Sequence, residues 1–150
     1  MESMYNRNRQ NTDRKDVFFM KEIIIGTKKK LSTLVTEDKL ACTMKSGSLP
    51  VFATPAMAAL MEETAAAALN EFLDEGETSV GTALDLKHTA ATPLGMTVTA
   101  TAEIVEVDRR RVSFSVTVCD EKEEIGSARH DRFIVGAEKF LAKANAKKDI

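Results

Sequence analysis

Three side chains in one part of this sequence are of types that do chemistry together. Thr54 stands before a proline-led apolar segment, Glu62 follows it on the same segment, and His88 ends the first alternating stretch beyond. A hydroxyl, a carboxylate and an imidazole near a helix start, whose first N–H groups lack partners within the helix, suit acyl transfer to water. In such a site the helix start polarises a carbonyl oxygen, Glu62 activates water or is itself the nucleophile, and His88 or Thr54 orients the reacting group. Each also has an ordinary reading: a helix cap for Thr54, a solvated face for Glu62 beside Glu63, and a hydrogen-bonded core residue for His88. Ala58, Ala59, Ala65 and Ala66 surround Glu62 and leave room for a ligand or another element. Glu63 has a similar shell in Ala59, Leu60, Ala66 and Ala67, so the residues alone do not choose between the two acids.

His130 and Arg132, in ARHDRFIV, form a second constellation. On an edge strand they would pair with acids such as Asp131 or Glu103; alternatively they contact a phosphate or a partner. Arg109–Arg111 sits where a hairpin turn is expected, and planar guanidinium groups there suit the phosphates of a nucleotide-bearing substrate. The plainer expectation for that run, as for Lys28–Lys30, is a solvated turn. Cys42 and Cys119 have no close-set partners, which excludes a zinc knuckle and leaves two buried thiols as the expectation. No metal site is expected.

The elements that must position these residues follow from periodicity. A helix is expected from Pro55, with Thr54 as its cap and Gly76 as its stop. Met57, Leu60, Met61, Ala65, Ala68, Leu69 and Phe72 recur at three- and four-residue spacings along it. Beyond it the period becomes two: Val80, Thr82, Leu84, Leu86 and His88 share one face, and Ser79, Gly81, Ala83, Asp85 and Lys87 the other. Met96 to Ile104 and Val112 to Val118 repeat the alternation across a turn at Asp108 to Arg110, a hairpin pattern. A further strand runs from Ile125 to Val135 with a bulge near Gly126. Glu22 to Gly26 reads as the first strand, and Ala137 to Lys148 as a short exposed helix. The order implies an α+β fold in which an antiparallel sheet wraps one long helix. His88, on the face that meets the helix, is then expected to converge with Glu62. Exposed sheet edges make dimerisation the natural remedy.

The 150 residues suit one domain. Lys+Arg number 21 and Asp+Glu 23, a net charge of −2, so the overall charge argues against nucleic acid as a partner. No apolar run approaches the length of a membrane span, and the first residues lack a signal-peptide pattern, so a cytoplasmic location is expected. Residues 1–19 are poor in apolar side chains and are expected to be a disordered extension, with Met20 a candidate natural start and 20–150 the folded domain.

The segment SGSLPVFATPAMAALMEETAAAAL, followed by TALDLKHTAATPLGMTVTATAEI, resembles the hot-dog-fold thioesterases of the fluoroacetyl-CoA thioesterase-like group. The likeness spans about Lys28 to Val135. It implies a dimer that hydrolyses acyl-CoA thioesters, with CoA part of the substrate and no cofactor. It places Thr54, Glu62 and His88 on the family's catalytic Thr, Glu and His, and so selects Glu62 over Glu63. It also implies substrate contacts at Pro55 and Ala56 on the helix start, at Gly81, and at His130 and Arg132 on the closing strand. The fluoroacetyl-specific members carry an aromatic lid before the helix, but Cys42–Pro50 (CTMKSGSLP) contains no aromatic residue. The resemblance therefore leaves the acyl group unassigned. The alternatives are an acyl-CoA or small-molecule binding module without turnover, a purely structural or interaction module and, ranked below hydrolysis, hydration of an enoyl-CoA.

Overall fold

The computed structural model describes residues 21–149, so the extension expected over residues 1–19 lies outside the described residues. The first strand is β1 (Lys28–Leu34), not Glu22 to Gly26. Gly26 adopts a φ of +97°, where a strand cannot continue, and its N–H reaches the Ile104 carbonyl at 2.8 Å. Lys28–Lys30 is therefore strand and not turn: β1 is an edge strand, and its lysines keep their charges in water.

A short helix, α1 (Ala41–Met44), precedes the long helix α2 (Thr54–Asn70). Asn70 ends α2 well before Gly76, which at φ +85° turns the chain into β2 (Glu77–His88). Next come β3 (Thr97–Asp108), β4 (Arg111–Cys119), β5 (Glu124–Gly136) and the exposed α3 (Ala137–Asn145). The β3–β4 hairpin turns where expected, with Arg109 at a left-handed φ of 60°. The bulge near Gly126 is also present: Val118 pairs with Gly126 and Cys119 with Glu124, leaving Ile125 as the extra residue.

The five strands form one antiparallel sheet in the order β1-β3-β4-β5-β2. The helix α2 touches all five strands, which is the expected α+β, hot-dog arrangement of a sheet wrapped around a helix. Met57, Leu60, Met61, Ala65, Ala68 and Leu69 on the helix meet alternating rows such as Val98–Ile104 and Val112–Val118. Each large apolar side chain so buried contributes about 1.5–3 kcal/mol, which seats the helix firmly. Both cysteines are exposed, contrary to expectation. Cys119 falls on the outward parity of β4, and Cys42 lies on the short surface helix α1.

Candidate active site

The end of β2 sets His88 over the first turn of α2. His88 pairs with Gly126 on β5, and a Cβ at Gly126 would collide with the Met57 sulfur and come within 2.9 Å of the Lys87 carbonyl. Only a residue without a side chain lets helix and sheet approach this closely. Ala53, not Thr54, occupies the cap position, and no side chain caps the helix. Thr54 is instead the first helical residue, and its Oγ1 lies 2.8 Å from His88 Nδ1. Phe52, itself buried, meets the imidazole edge-on with centroids 6.5 Å apart.

The other ring nitrogen, His88 Nε2, is buried without a hydrogen-bond partner among the described residues. Such atoms are rare in proteins and point to a missing ligand or water. Burial holds the His88 pKa below the usual imidazole value, which the Ala90 backbone offsets only in part, so the ring is neutral at about pH 7. In the first turn, Ala53 N–H donates to the Lys39 carbonyl at 2.9 Å and Met57 N–H to the Ala53 carbonyl at 3.0 Å. Pro55 has no N–H. The N–H groups of Thr54 and Ala56 are left without an acceptor among the described residues, beside a cleft of about 290 Å³ lined by Val51, Phe52, Thr54 and His88–Ala91.

Two turns along α2, Glu62 faces a differently built region. Its carboxylate, 46% exposed, lies 3.7 Å from the Arg132 guanidinium, whereas Glu63 is exposed to solvent. Arg132 Nε donates to Ser79 Oγ at 2.8 Å, its Nη2 donates to the Ser79 carbonyl at 3.1 Å, and its Nη1 lies 3.1 Å from His130 Nε2. His130 Nδ1 is 2.8 Å from the Ala83 carbonyl. Burial is the main reason the His130 pKa is lowered; Arg132 lowers it too, against the Ala83 carbonyl, Glu62 and Asp131. Gly81 completes the notch, because a Cβ there would run into Glu62 Oε2.

Strict alternation assigns Ser79 and Gly81 to the face opposite His88, yet both turn toward the helix. The cause is a bulge: Gly81 pairs with Arg132 and Ala83 with Asp131, so Thr82 is an extra residue and the strand changes face there. Ser79, the Ala83 carbonyl and Phe52 were not singled out by sequence reasoning, and Gly126 was read only as the site of a bulge, not as a point of close approach. His130 and Arg132 are not on an edge strand either, since β5 lies between β4 and β2, and their acid is Glu62. His130 has both ring nitrogens engaged within the protein. Pro55 and Ala56 are in the first turn of α2 and, unlike Thr54, are not among the residues that line the cleft. At the far end of β2, Arg110 pairs with Glu77 at 2.9 Å, and Arg111 with Glu106 at 3.2 Å and Asp108 at 3.4 Å. These ion pairs neutralise much of the basic run. Among the described residues no group of His, Cys, Asp or Glu could hold a metal ion, and no helix is long and apolar enough to cross a membrane.

Glu62 and His88 do not meet within one chain. Thr54 and Glu62 are separated by about 12 Å of helix rise, and each has its own neighbours on β2.

Comparison with known proteins decides the family. The description "fluoroacetyl-CoA-specific thioesterase" matches residues 35–138. The chain belongs to the fluoroacetyl-CoA-specific thioesterase family. A fluoroacetyl-CoA thioesterase of Streptantibioticus cattleyicolor is 48% identical over 97 residues, covering 65% of this chain and 70% of that protein. The crystal structure of the fluoroacetyl-CoA thioesterase FlK superposes with a TM-score of 0.79 at 39% identity, over 84% of this chain and 98% of FlK. A thioesterase superfamily member of Thermus thermophilus superposes with a TM-score of 0.81 at 28% identity, over 87% and 96% of the two chains. This member of the thioesterase family is thus a hot-dog-fold thioester hydrolase.

Proposed function

We propose that the chain hydrolyses acyl-CoA thioesters to a carboxylic acid and free CoA, with Thr54, Glu62 and His88 as the reacting set. The observation that carries this reading is the buried His88 Nε2, partnerless among the described residues, on a ring bonded through Nδ1 to Thr54 at the helix start. The thioester carbonyl oxygen accepts from the Thr54 and Ala56 N–H groups, whose alignment favours the developing negative charge. Glu62 takes a proton from the attacking water, or attacks the carbonyl itself and is then released by water. With the Thr54 hydroxyl donating to Nδ1, Nε2 carries the proton and hydrogen-bonds the departing CoA sulfur, which leaves as a thiolate and takes up a proton from Glu62 or from water. CoA is substrate throughout, and the chain needs no cofactor for these steps.

The separation of Glu62 from His88 is resolved by a second copy. Among the described residues β2 is an unpaired edge, and an antiparallel pairing of two β2 strands centred between Leu84 and Asp85 sets Gly81 of one chain opposite His88 of the other. Each composite site then takes Thr54 and His88 from one chain and Glu62 from its partner. The acyl group stays open: Cys42–Pro50 is exposed and without an aromatic side chain, so the chain is not assigned fluoroacetyl specificity.

Thiol release from short, medium, aromatic and halogenated acyl-CoAs, run beside Glu62→Gln, tests the reaction. Release by wild type alone is expected; silence across the panel, with a ligand-induced rise in melting temperature, would favour a binding module. Co-expression of Glu62→Gln with His88→Ala tests the composite site. Mixed dimers regain activity because one of their two sites is intact, while sites contained within single chains would stay silent.

A further inference from the structure

Arg132 is the only cation within ion-pair distance of Glu62 among the described residues, and yet it does not bond to it. Their closest atoms are 3.7 Å apart, whereas a charge-assisted N–H···O bond closes to about 2.8 Å. A long guanidinium side chain beside a carboxylate normally closes that gap. What holds it back is visible in its other bonds. The side of the guanidinium formed by Nε and Nη2 is bound to the Ser79 hydroxyl and carbonyl at 2.8 and 3.1 Å. Nη1 is held 3.1 Å from His130 Nε2.

The direction of that last bond follows from chemistry. The Ala83 carbonyl can only accept, so His130 Nδ1, 2.8 Å away, must carry the proton. Arg132 can only donate, so neutral His130 Nε2 accepts from it. The buried imidazole is thereby fixed in one tautomer, with Phe114 packed against its ring at a centroid distance of 6.0 Å. The β2 bulge at Thr82 supplies both anchors, because it turns Ser79 inward and still delivers the Ala83 carbonyl to His130.

We propose that Ser79 and His130 are positioning residues that tether Arg132 at a distance from Glu62. The tether keeps a positive charge beside the carboxylate while leaving the carboxylate oxygens free for water or the thioester. This rests on Glu62 reacting as proposed above; the tether itself rests on the distances.

The test uses the full chain and the acyl-CoA that wild type turns over fastest. Ser79→Ala and His130→Phe each remove one anchor, and kcat should fall about a hundredfold while KM holds, as when a reacting group is misplaced. Ser79→Thr keeps the hydroxyl and should restore kcat. A crystal structure of Ser79→Ala should show Arg132 and Glu62 closed to about 2.8 Å. Long-range proton–nitrogen NMR of wild type should find the His130 proton on Nδ1. Wild-type kcat in Ser79→Ala or His130→Phe, or a Ser79→Thr protein as slow as Ser79→Ala, overturns the proposal. So does a proton on Nε2. If Ser79→Ala does not fold, His130→Phe and Ser79→Thr decide. A wild-type protein silent toward every thioester overturns the proposed function instead, and the tether is then judged on the distance and the tautomer alone.

Discussion

The two ends of the helix–sheet groove are built on opposite principles. At the Glu62 end, Arg132, His130, Ser79 and the Ala83 carbonyl satisfy one another in a closed network. At the His88 end, one bond to Thr54 fixes the imidazole, while its buried Nε2 and the Thr54 and Ala56 N–H groups have no partner among the described residues. Satisfied groups stabilise and position; unsatisfied ones are free to be completed by a substrate. The contrast teaches where to look for binding and where for support, and it makes different predictions for stability and turnover at the two ends.

The largest effect is expected at the point where the regions cooperate. Glu62→Gln should cut thiol release by roughly a thousandfold, and a variant within tenfold of wild type would show that its carboxylate is not the base or nucleophile. Arg132→Ala, at the closed end, leaves Ser79 and His130 without their partner and should cost about 2–3 kcal/mol in denaturant unfolding. Gly81→Ala presses a methyl group against the movable Glu62 carboxylate. Activity should fall about tenfold while the melting temperature shifts by no more than a few degrees, because a flexible side-chain end can move aside. Thr54→Ala provides the opposite comparison. Since Thr54 caps nothing, its stability cost should stay within about 0.5 kcal/mol, against about 1 kcal/mol for a lost cap, while kcat drops.

The smallest effect is on pH. His88 and His130 both have pKa values lowered by burial in the folded protein. The unfolded chain, with ordinary imidazoles near about 6.5, therefore binds more protons than the folded one as pH falls. Their contribution is complete above that value and is lost as pH falls through the folded pKa values. Thermal unfolding from about pH 7.5 to 5 should show a falling melting temperature, with a shallower fall in His130→Phe; equal slopes would remove His130 from the account.

Much of the fold was legible before any coordinates. The α2 apolar spacing, the alternation of Val98–Ile104 and Val112–Val118, and the turn at Asp108–Arg110 all reflect local periodicity, and each appears in the structure. Glu22 to Gly26 misled because its three isoleucines look strand-like, while the deciding feature is Gly26 at positive φ, followed by a lysine run on a sheet edge. The site was legible in its parts. Thr54 and His88 meet as a pair, and of the two acids it is Glu62 that lies by Gly81 and Arg132 while Glu63 is exposed. The grouping of His130 and Arg132 with Glu62 was not legible, because one inserted residue at Thr82 reverses which side chains of β2 face inward.

The sequence by itself determined the element order, the α+β class, the apolar stripe of α2 and the residue types available for acyl transfer. These depend on contacts and periodicities within a few residues of chain. The tertiary structure alone decided that Thr54 bonds His88 rather than capping its helix, that the cysteines are exposed, and that Arg132 stands off from Glu62. Those outcomes depend on where a single bulge falls in β2 and on how closely a glycine lets the helix approach the sheet, and neither is written in any local spacing of residues.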